Sequence, residues 1–401
     1  SNNWGDGPDE PPRGTAELLA LRANGTVLYA NGTHDKYWDV DPVRHSGTTV
    51  EYAFSDHLEG ETCPTDLDHE AFRVDEDTWA RYDRRGERCT RNGVERVDLR
   101  TGNVTRVWSQ ITPGGKNTRY HDVDRLDAEH LVVADIYLDR VFVVNTTTQR
   151  IEWRWNASDA FPTDSGGPYP SDWTHINDVE VLPDGRIMVS VRNHDQVVFL
   201  DRTGLIEEWT LGTDGDHETL YEQHNPDYIP ATAGGPAVLV ADSENNRVVE
   251  YQRSDGEWTR SWTWRDARVQ WPRDADRLPN GHTLITDSNG DRVFEVDEAG
   301  SVVWSVEVAF PYEAERLGTG AESTGGPSAQ ARGLESRERS VPERLWLGVK
   351  SVVPSKYLNG LLYLTPVWMG FREVVALLVA LSVGLVWTGL ELRWFIADRR
   401  S

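Results

Sequence analysis

The chain has 401 residues, 38% of them hydrophobic, with 17 tryptophans and a formal net charge of −25. That length can build a large core, either as two or three domains or as one array of repeats. The acidity, without any basic stripe, argues against a nucleic-acid binder. Lysine occurs only at positions 36, 116, 350 and 356, so the basic side is nearly all arginine. Acidic residues spread along the chain, with lysine this scarce, suit a surface that stays hydrated in concentrated salt. A basic partner is the competing reading, opposed by the absence of acidic blocks.

In chain order, Glu17–Arg22 and Val27–Ala30 flank an Asn24-Gly25 turn and predict a hairpin of outer strands. Tyr37-Trp38-Asp39-Val40-Asp41 opens a first repeat that closes near Trp108. Its polar insertion holds the two cysteines, Cys63 and Cys89. An isolated pair in one insertion suits a disulfide better than a metal site. With sequons at Asn24, Asn31, Asn103, Asn145 and Asn156, it leans towards an exported, glycosylated domain.

Four fuller copies follow. HDVDRLDAEHLVVADIYLDRVFVVNTTTQRIEWRW starts at His121, HINDVEVLPDGRIMVSVRNHDQVVFLDRTGLIEEWT at His175, a third at His224, and WPRDADRLPNGHTLITDSNGDRVFEVDEAGSVVWSVE at Trp271. Each reads as four short strands joined by tight turns, the pattern of one β-propeller blade. A last partial copy, Pro311-Tyr312-Glu313-Ala314-Glu315-Arg316-Leu317, lacks outer strands, which the N-terminal hairpin could supply. The expectation is all-β: a six-bladed propeller over residues 15–320, closed by N- and C-terminal strands, with five blades as the runner-up.

Residues 321–344 read as a polar linker. Residues 345–371 read as an interfacial or hydrophobic segment, and 372–397 as a transmembrane helix, since Val374–Leu390 carries no charge. The tail Asp398-Arg399-Arg400 predicts a cytoplasmic C-terminus with the propeller outside the cell.

In a propeller the first strand of each blade lines the central channel. The corresponding leading positions are Trp38, His121, His175, His224, Arg273 and Tyr312. Asn177 lies on the same side of its strand as His175, and Arg192 ends the next strand of that blade. Several imidazoles can hold a metal, or, with arginine, an oxyanion. A neutral histidine is also a competent nucleophile towards phosphoryl or sulfuryl centres. The arginine favours the anion.

QHNPDYI around His224, the pair His175-Ile176-Asn177 and Ser190-Val191-Arg192, and HDVDRL from His121 together resemble the aryl-sulfate sulfotransferases, in particular a haloarchaeal membrane-anchored branch. The likeness is best over residues 100–310. It implies a six-bladed propeller that moves a sulfuryl group from an aryl sulfate donor to a phenolic acceptor by a ping-pong route, with no cofactor and no metal. It implies His224 as the nucleophile that becomes sulfohistidine, and His121 and His175 as holders of sulfate oxygens, one of them serving as acid and base. Asn177 and Arg192 are the remaining sulfate contacts it implies. Arg273, Tyr120 and Tyr221 are added as substrate-binding candidates from position alone. A metal-dependent hydrolase or lactonase-type propeller and a non-enzymatic cell-surface binding propeller stay open as alternatives.

Overall fold

The computed structural model describes residues 16–43, 46–82, 88–115, 118–319, 325–337 and 340–399, so both bounds expected for the propeller, and Arg400, lie outside them. Five antiparallel sheets of blade size follow one another along the chain, four of them four-stranded and the third five-stranded. Blade 1 comprises Lys36–Pro42, Thr49–Glu59, Arg88–Asp98 and Asn103–Pro113, and blade 2 Tyr120–Arg125, His130–Asp135, Arg140–Asn145 and Arg150–Asn156. Blade 3 runs through Ile176–Val181, Ile187–Val191 and Gln196–Asp201. Blade 4 is His224–Ile229, Ala237–Asp242, Arg247–Ser254 and Glu257–Trp264, and blade 5 is Pro272–Arg277, Thr283–Asp287, Arg292–Val296 and Val302–Glu307.

The middle strands, such as HLVVAD, AVLVAD and TLITD, are short runs of mostly apolar residues rich in valine and isoleucine, suited to sheets covered on both faces. Their cores lie between blades. Val132, Val141 and Trp155 of blade 2 pack on Ile176, Val189 and Val198 of blade 3, and blades 3 with 4 and 4 with 5 meet in the same way. A second device recurs inside the blades. Asp135–Arg140, Asp242–Arg247 and Asp287–Arg292 clip the turn between second and third strands at 2.6–2.9 Å, each aspartate fully buried. This is the Asp-x4-Arg pattern of the repeat.

The sequence-based expectation needs correcting in three places. There is no sixth four-stranded sheet among the described residues. The hairpin Leu18–Leu21 with Val27–Asn31 forms as expected and packs on blade 1 through Leu18, Tyr37 and Val50. Its turn accepts a hydrogen bond from Trp304 Nε1 of blade 5 at Ala23 O (2.6 Å). However, a cavity of about 410 Å³ separates the hairpin from segment 311–317, and no strand ladder joins the two. Blade 3 also lacks a full closing strand: Glu207–Trp209 is a 3₁₀ turn between two two-residue strands, Gly204–Leu205 and Leu211–Gly212. The Arg186 guanidinium lies 3.7 Å from the Trp209 ring centre and holds that turn in place. The expected linker is partly docked, since the Ala329 N–H donates to Glu250 and Ala329 enters the core of blades 4 and 5.

The insertion of blade 1 carries helices α1 (His69–Phe72) and α2 (Glu76–Tyr82) and the predicted Cys63–Cys89 disulfide. Beyond the propeller come α3 (Ala329–Arg332), α4 (Val341–Lys350), α5 (Ser355–Tyr363) and α6 (Phe371–Asp398). Helix α6 is long and apolar enough to cross a membrane and is not buried against the propeller. Among the sequons, Asn145 is buried at a turn, where its side-chain oxygen takes the Thr147 and Thr148 N–H groups.

The buried clips make a stability prediction. Arg140→Met strands a buried aspartate and should cost about 3–5 kcal/mol. Glu307→Gln, which breaks the exposed Arg268–Glu307 pair, should cost no more than ~1 kcal/mol. Denaturant unfolding of the two variants measures the contrast, and equal midpoints would contradict it.

Candidate active site

Three residues before a carboxylate that bonds to the next blade (Asp124, Glu180 and Asp227) stand His121, Asn177 and His224. The ladders agree: pairing skips His121, Asn177 and Arg273 as single bulged residues. The hub register is therefore Trp38, His121, Asn177, His224, Arg273 and Tyr312. This corrects the expectation that His175 holds the third place. His175 stands two residues earlier, in the left-handed backbone region (φ 47°), as do Glu222 (44°), Trp271 (58°) and Phe310 (44°) before their own hub residues. Non-glycine residues held there cost of order 1–3 kcal/mol, and such strain tends to collect at functional sites. The turn carries the His175 ring inward, to 5.0 Å from that of His121.

The hydrogen bonds fix how each imidazole is presented. His224 Nδ1 faces the Glu222 carbonyl (3.1 Å), which only accepts, and Ser243 Oγ (2.8 Å), whose own proton goes to Pro272 O (2.6 Å). The ring proton is therefore assigned to Nδ1. Its Nε2 lone pair accepts from Arg273 Nη1 at 2.9 Å. His175 repeats the pattern, with Nδ1 on Asp172 Oδ1 (2.5 Å) and Nε2 accepting from Arg192 Nη1 (3.1 Å). His121 stacks on Trp38 (4.3 Å between centres) and bonds to Tyr312 Oη through Nδ1 (3.0 Å), leaving Nε2 buried with no partner. Arg119, above the Trp38 ring at 5.0 Å, supplies a third guanidinium.

This is a cation-rich cup with neutral bases in it. Burial first, then Arg273 and Arg192, hold His224 well below the ordinary imidazole range. Burial, His175 and Arg119 do the same to His121, and burial with Arg192 lowers His175. Burial alone would raise the Asp172 carboxyl, but His175 and Arg192 outweigh it and hold it below the usual carboxylate range. Burial also pushes the Arg119 guanidinium down to about 10. Three guanidiniums beside three imidazoles repel a metal cation and suit an oxyanion.

Of the residues singled out from sequence, His121, His175, His224, Arg192 and Arg273 meet in the cup. Asn177 holds its register place, donating to Gln223 O (2.9 Å) with Oδ1 unpartnered. Tyr120 and Tyr221 do not join them. Tyr120 alternates with His121 and so points into the blade, packed on Trp108 and Phe142 and donating to Gln110 Oε1 (2.6 Å). Tyr221 stacks on His217 at the rim (3.7 Å). Sequence reasoning missed Asp172, Glu222, Ser243 and Arg119 as site residues, and passed over Tyr312 although the register named it. The same register, taken two residues further upstream, marks Arg119 and Glu222.

Helix α5 lies over the mouth of the cup. Lys356 pairs with Glu222, which also meets Arg192 (3.5 Å). Asn359 is fully buried among Gln270, Glu244 and Asn289, and Tyr363 packs on Phe310 and Trp271.

The sequence profile of one family, arylsulfotransferase (ASST), matches residues 21–261, more than half of the chain. The chain belongs to the arylsulfotransferase family. Membership places the chain among transferase enzymes, and its hub residues from blades 1 to 4 fall inside the matched span. No curated protein sequence matches it. Solved structures similar to it include a protein of unknown function from Bacteroides caccae, at 11% identity and TM-score 0.46, covering 74% of this chain and 91% of that one. The periplasmic gluconolactonase PpgL from Pseudomonas aeruginosa aligns at 14% identity and TM-score 0.45, over 76% and 95%. A catalytically inactive virginiamycin B lyase from Staphylococcus aureus aligns at 7% identity and TM-score 0.41, over 74% and 77%. Likeness at this level says nothing of this chain's substrate.

The lowered proton affinity of His224 predicts a neutral, Nδ1-protonated ring at pH 6, where an unperturbed imidazole is mostly cationic. Nitrogen NMR of histidine-labelled protein, assigned by comparison with His224→Gln, reads this directly. A cationic ring at that pH would contradict it.

Proposed function

We propose that this arylsulfotransferase moves a sulfuryl group from an aryl sulfate to a phenol in two displacements through a sulfohistidine at His224. The observation that carries the reading is the proton-free His224 Nε2, buried and set against Arg273 at 2.9 Å among cationic side chains. The aryl sulfate places its SO₃ group between Arg192, Arg273 and the His121 Nε2. The His224 Nε2 lone pair attacks sulfur in line as the S–O bond to the aryl oxygen breaks. That oxygen takes a proton from His175 or His121, whose proton affinity rises once the sulfate charge offsets the neighbouring guanidiniums. In the second half, an incoming phenol gives its proton to the same imidazole, its oxygen takes the sulfuryl group, and His224 Nε2 is freed. The guanidiniums supply most of the stabilisation, because they are fixed before charge builds on the transferring oxygens.

The setting we propose is the cell surface of a salt-adapted organism, in a membrane-anchored haloarchaeal branch of the family. A propeller over residues 15–320 is joined by 321–344 and the interfacial segment 345–371 to a single membrane helix, 372–397. Helix α5 on the cup mouth and α6 following it in the chain support a mouth held close to the bilayer.

Release of a phenol from an aryl sulfate, followed in high salt with and without a second phenol, tests the reading. Release should require the acceptor, and the sulfated acceptor should appear in equal amount. His224→Ala should abolish both half-reactions, and Arg192→Ala should lower turnover on the order of 10²–10³-fold. Acceptor-independent release that survives His224→Ala would overturn the proposal.

A further inference from the structure

Directly beneath the histidine cup the hub changes sign. The residues following the hub register are Asp39, Asp122, Asp178, Asn225, Asp274 and Glu313, and two positions further along come Asp41, Asp124, Glu180, Asp227, Asp276 and Glu315. Much of this is structural. From blade 2 round to blade 1, a spare N–H of the first strand is taken by a carboxylate of the blade or segment before it, as when Val179 donates to Asp122 (2.8 Å), Ala314 to Asp274 (3.0 Å) and Val40 to Glu313 (3.0 Å). That role uses one oxygen of each carboxyl and leaves others over.

Two of the leftovers lie in the upper tier. In the next blade Asp178 meets Pro226 where its neighbours meet an N–H, and proline has none to give. Asp178 Oδ2 is buried without a partner. Asn225, tied to Glu313 through its Nδ2 (3.2 Å), leaves Oδ1 buried and unpartnered as well. Both residues are 3% exposed. On the same tier one oxygen each of Asp39, Asp122 and Glu313 lies within 4.8 Å of the other two. Among the described residues, none of these carboxylates, nor Asp178 or Asp274, pairs with an arginine or lysine. Buried polar atoms are almost always satisfied, and buried carboxylates are paired or bind metals.

We propose that the axial channel holds a divalent cation of the calcium type, bound by Asp39, Asp122 and Glu313, with Asp178 and Asn225 completing an all-oxygen shell. Oxygens spaced in this way surround an ion at about the 2.3–2.6 Å that calcium prefers, and calcium takes six to eight such ligands. Magnesium demands a smaller octahedron and gives up its water reluctantly, so it fits this donor set less well. The cation supplies the charge the tier lacks. The ion binds some distance from the sulfuryl site, separated from it by the Trp38–His121–Tyr312 layer, so its role is to fix the hub geometry.

The test uses the full chain in detergent, stripped with a chelator and titrated with terbium(III). Trp38 and Tyr312, adjacent in sequence to Asp39 and Glu313, serve as sensitisers. One saturable terbium per chain is expected, displaced by calcium at concentrations roughly tenfold below magnesium. Calcium should raise the unfolding temperature, and elemental analysis of protein purified without chelator should give about one bound metal per chain. Asp122→Asn and Glu313→Gln should each weaken terbium binding on the order of tenfold, because each removes a ligand charge. His224→Ala should leave it unchanged, so failure of the sulfuryl-transfer reading and failure of this one are told apart. No bound metal in wild-type protein, no sensitised emission, or terbium binding by both carboxamide variants as tight as that of the wild type would overturn the proposal.

Discussion

The hydrogen bond from a carboxylate of one first strand to the backbone of the next is the contact on which the rest of the molecule depends. A strand at the inner edge of a blade has N–H groups that its own sheet cannot use, and burying them unpaired costs about 1–3 kcal/mol each. Asp122, Asp124, Glu180, Asp227, Asp274 and Glu313 remove that cost in turn around the axis. Because the contact repeats from blade 2 round to blade 1, it sets a common height for the blades it joins. His121, Asn177, His224, Arg273 and Tyr312 are level for that reason. Segment 311–316 joins the ring through the same bonds although it pairs with no sheet.

The cup and the channel beneath it carry opposite charge. Above, guanidiniums keep the imidazoles neutral. Below, carboxylates crowd one another. Trp38, stacked on His121, and Tyr312, bonded to it, form the layer between them. In a buried, water-poor hub such a division is stable only if each side receives a counter-charge from outside the fold or keeps its groups neutral. The proposed sulfate oxyanion serves the upper side and the proposed metal cation the lower.

Much of the fold was legible along the chain, because blades are local. Blades 2 to 5 are each built from hairpins whose turns and apolar runs lie within about fifty residues, and the Asp-x4-Arg clips recur within six. The histidines were legible for the same reason, since repetition makes an unusual residue conspicuous. The sixth blade was misread because its parts come from opposite ends of the chain. Whether Leu18–Leu21 and segment 311–317 pair depends on the space between them, which no local pattern encodes. Tyr120 was misplaced through neglect of alternation: beside His121 in the strand, it has to face the other way.

By itself the sequence determined the architecture of repeated four-stranded blades, the disulfide, an apolar C-terminal helix and five of the side chains that meet in the cup. These follow from short-range periodicity and from residue chemistry, both of which are written locally. The tertiary structure alone decided how those side chains are presented. Which nitrogen of His224 carries the proton depends on the Glu222 carbonyl and on Ser243, a residue nineteen positions away. His175 enters the cup through a left-handed turn that its sequence position does not announce. Arg119, Asp172 and Glu222 gain their place from the ring of blades, and α5 gains its seat from hydrogen-bond partners 70 to 134 residues distant. Rotation about a shared axis converts equal spacing in sequence into convergence in space, and that step requires the blades to be packed.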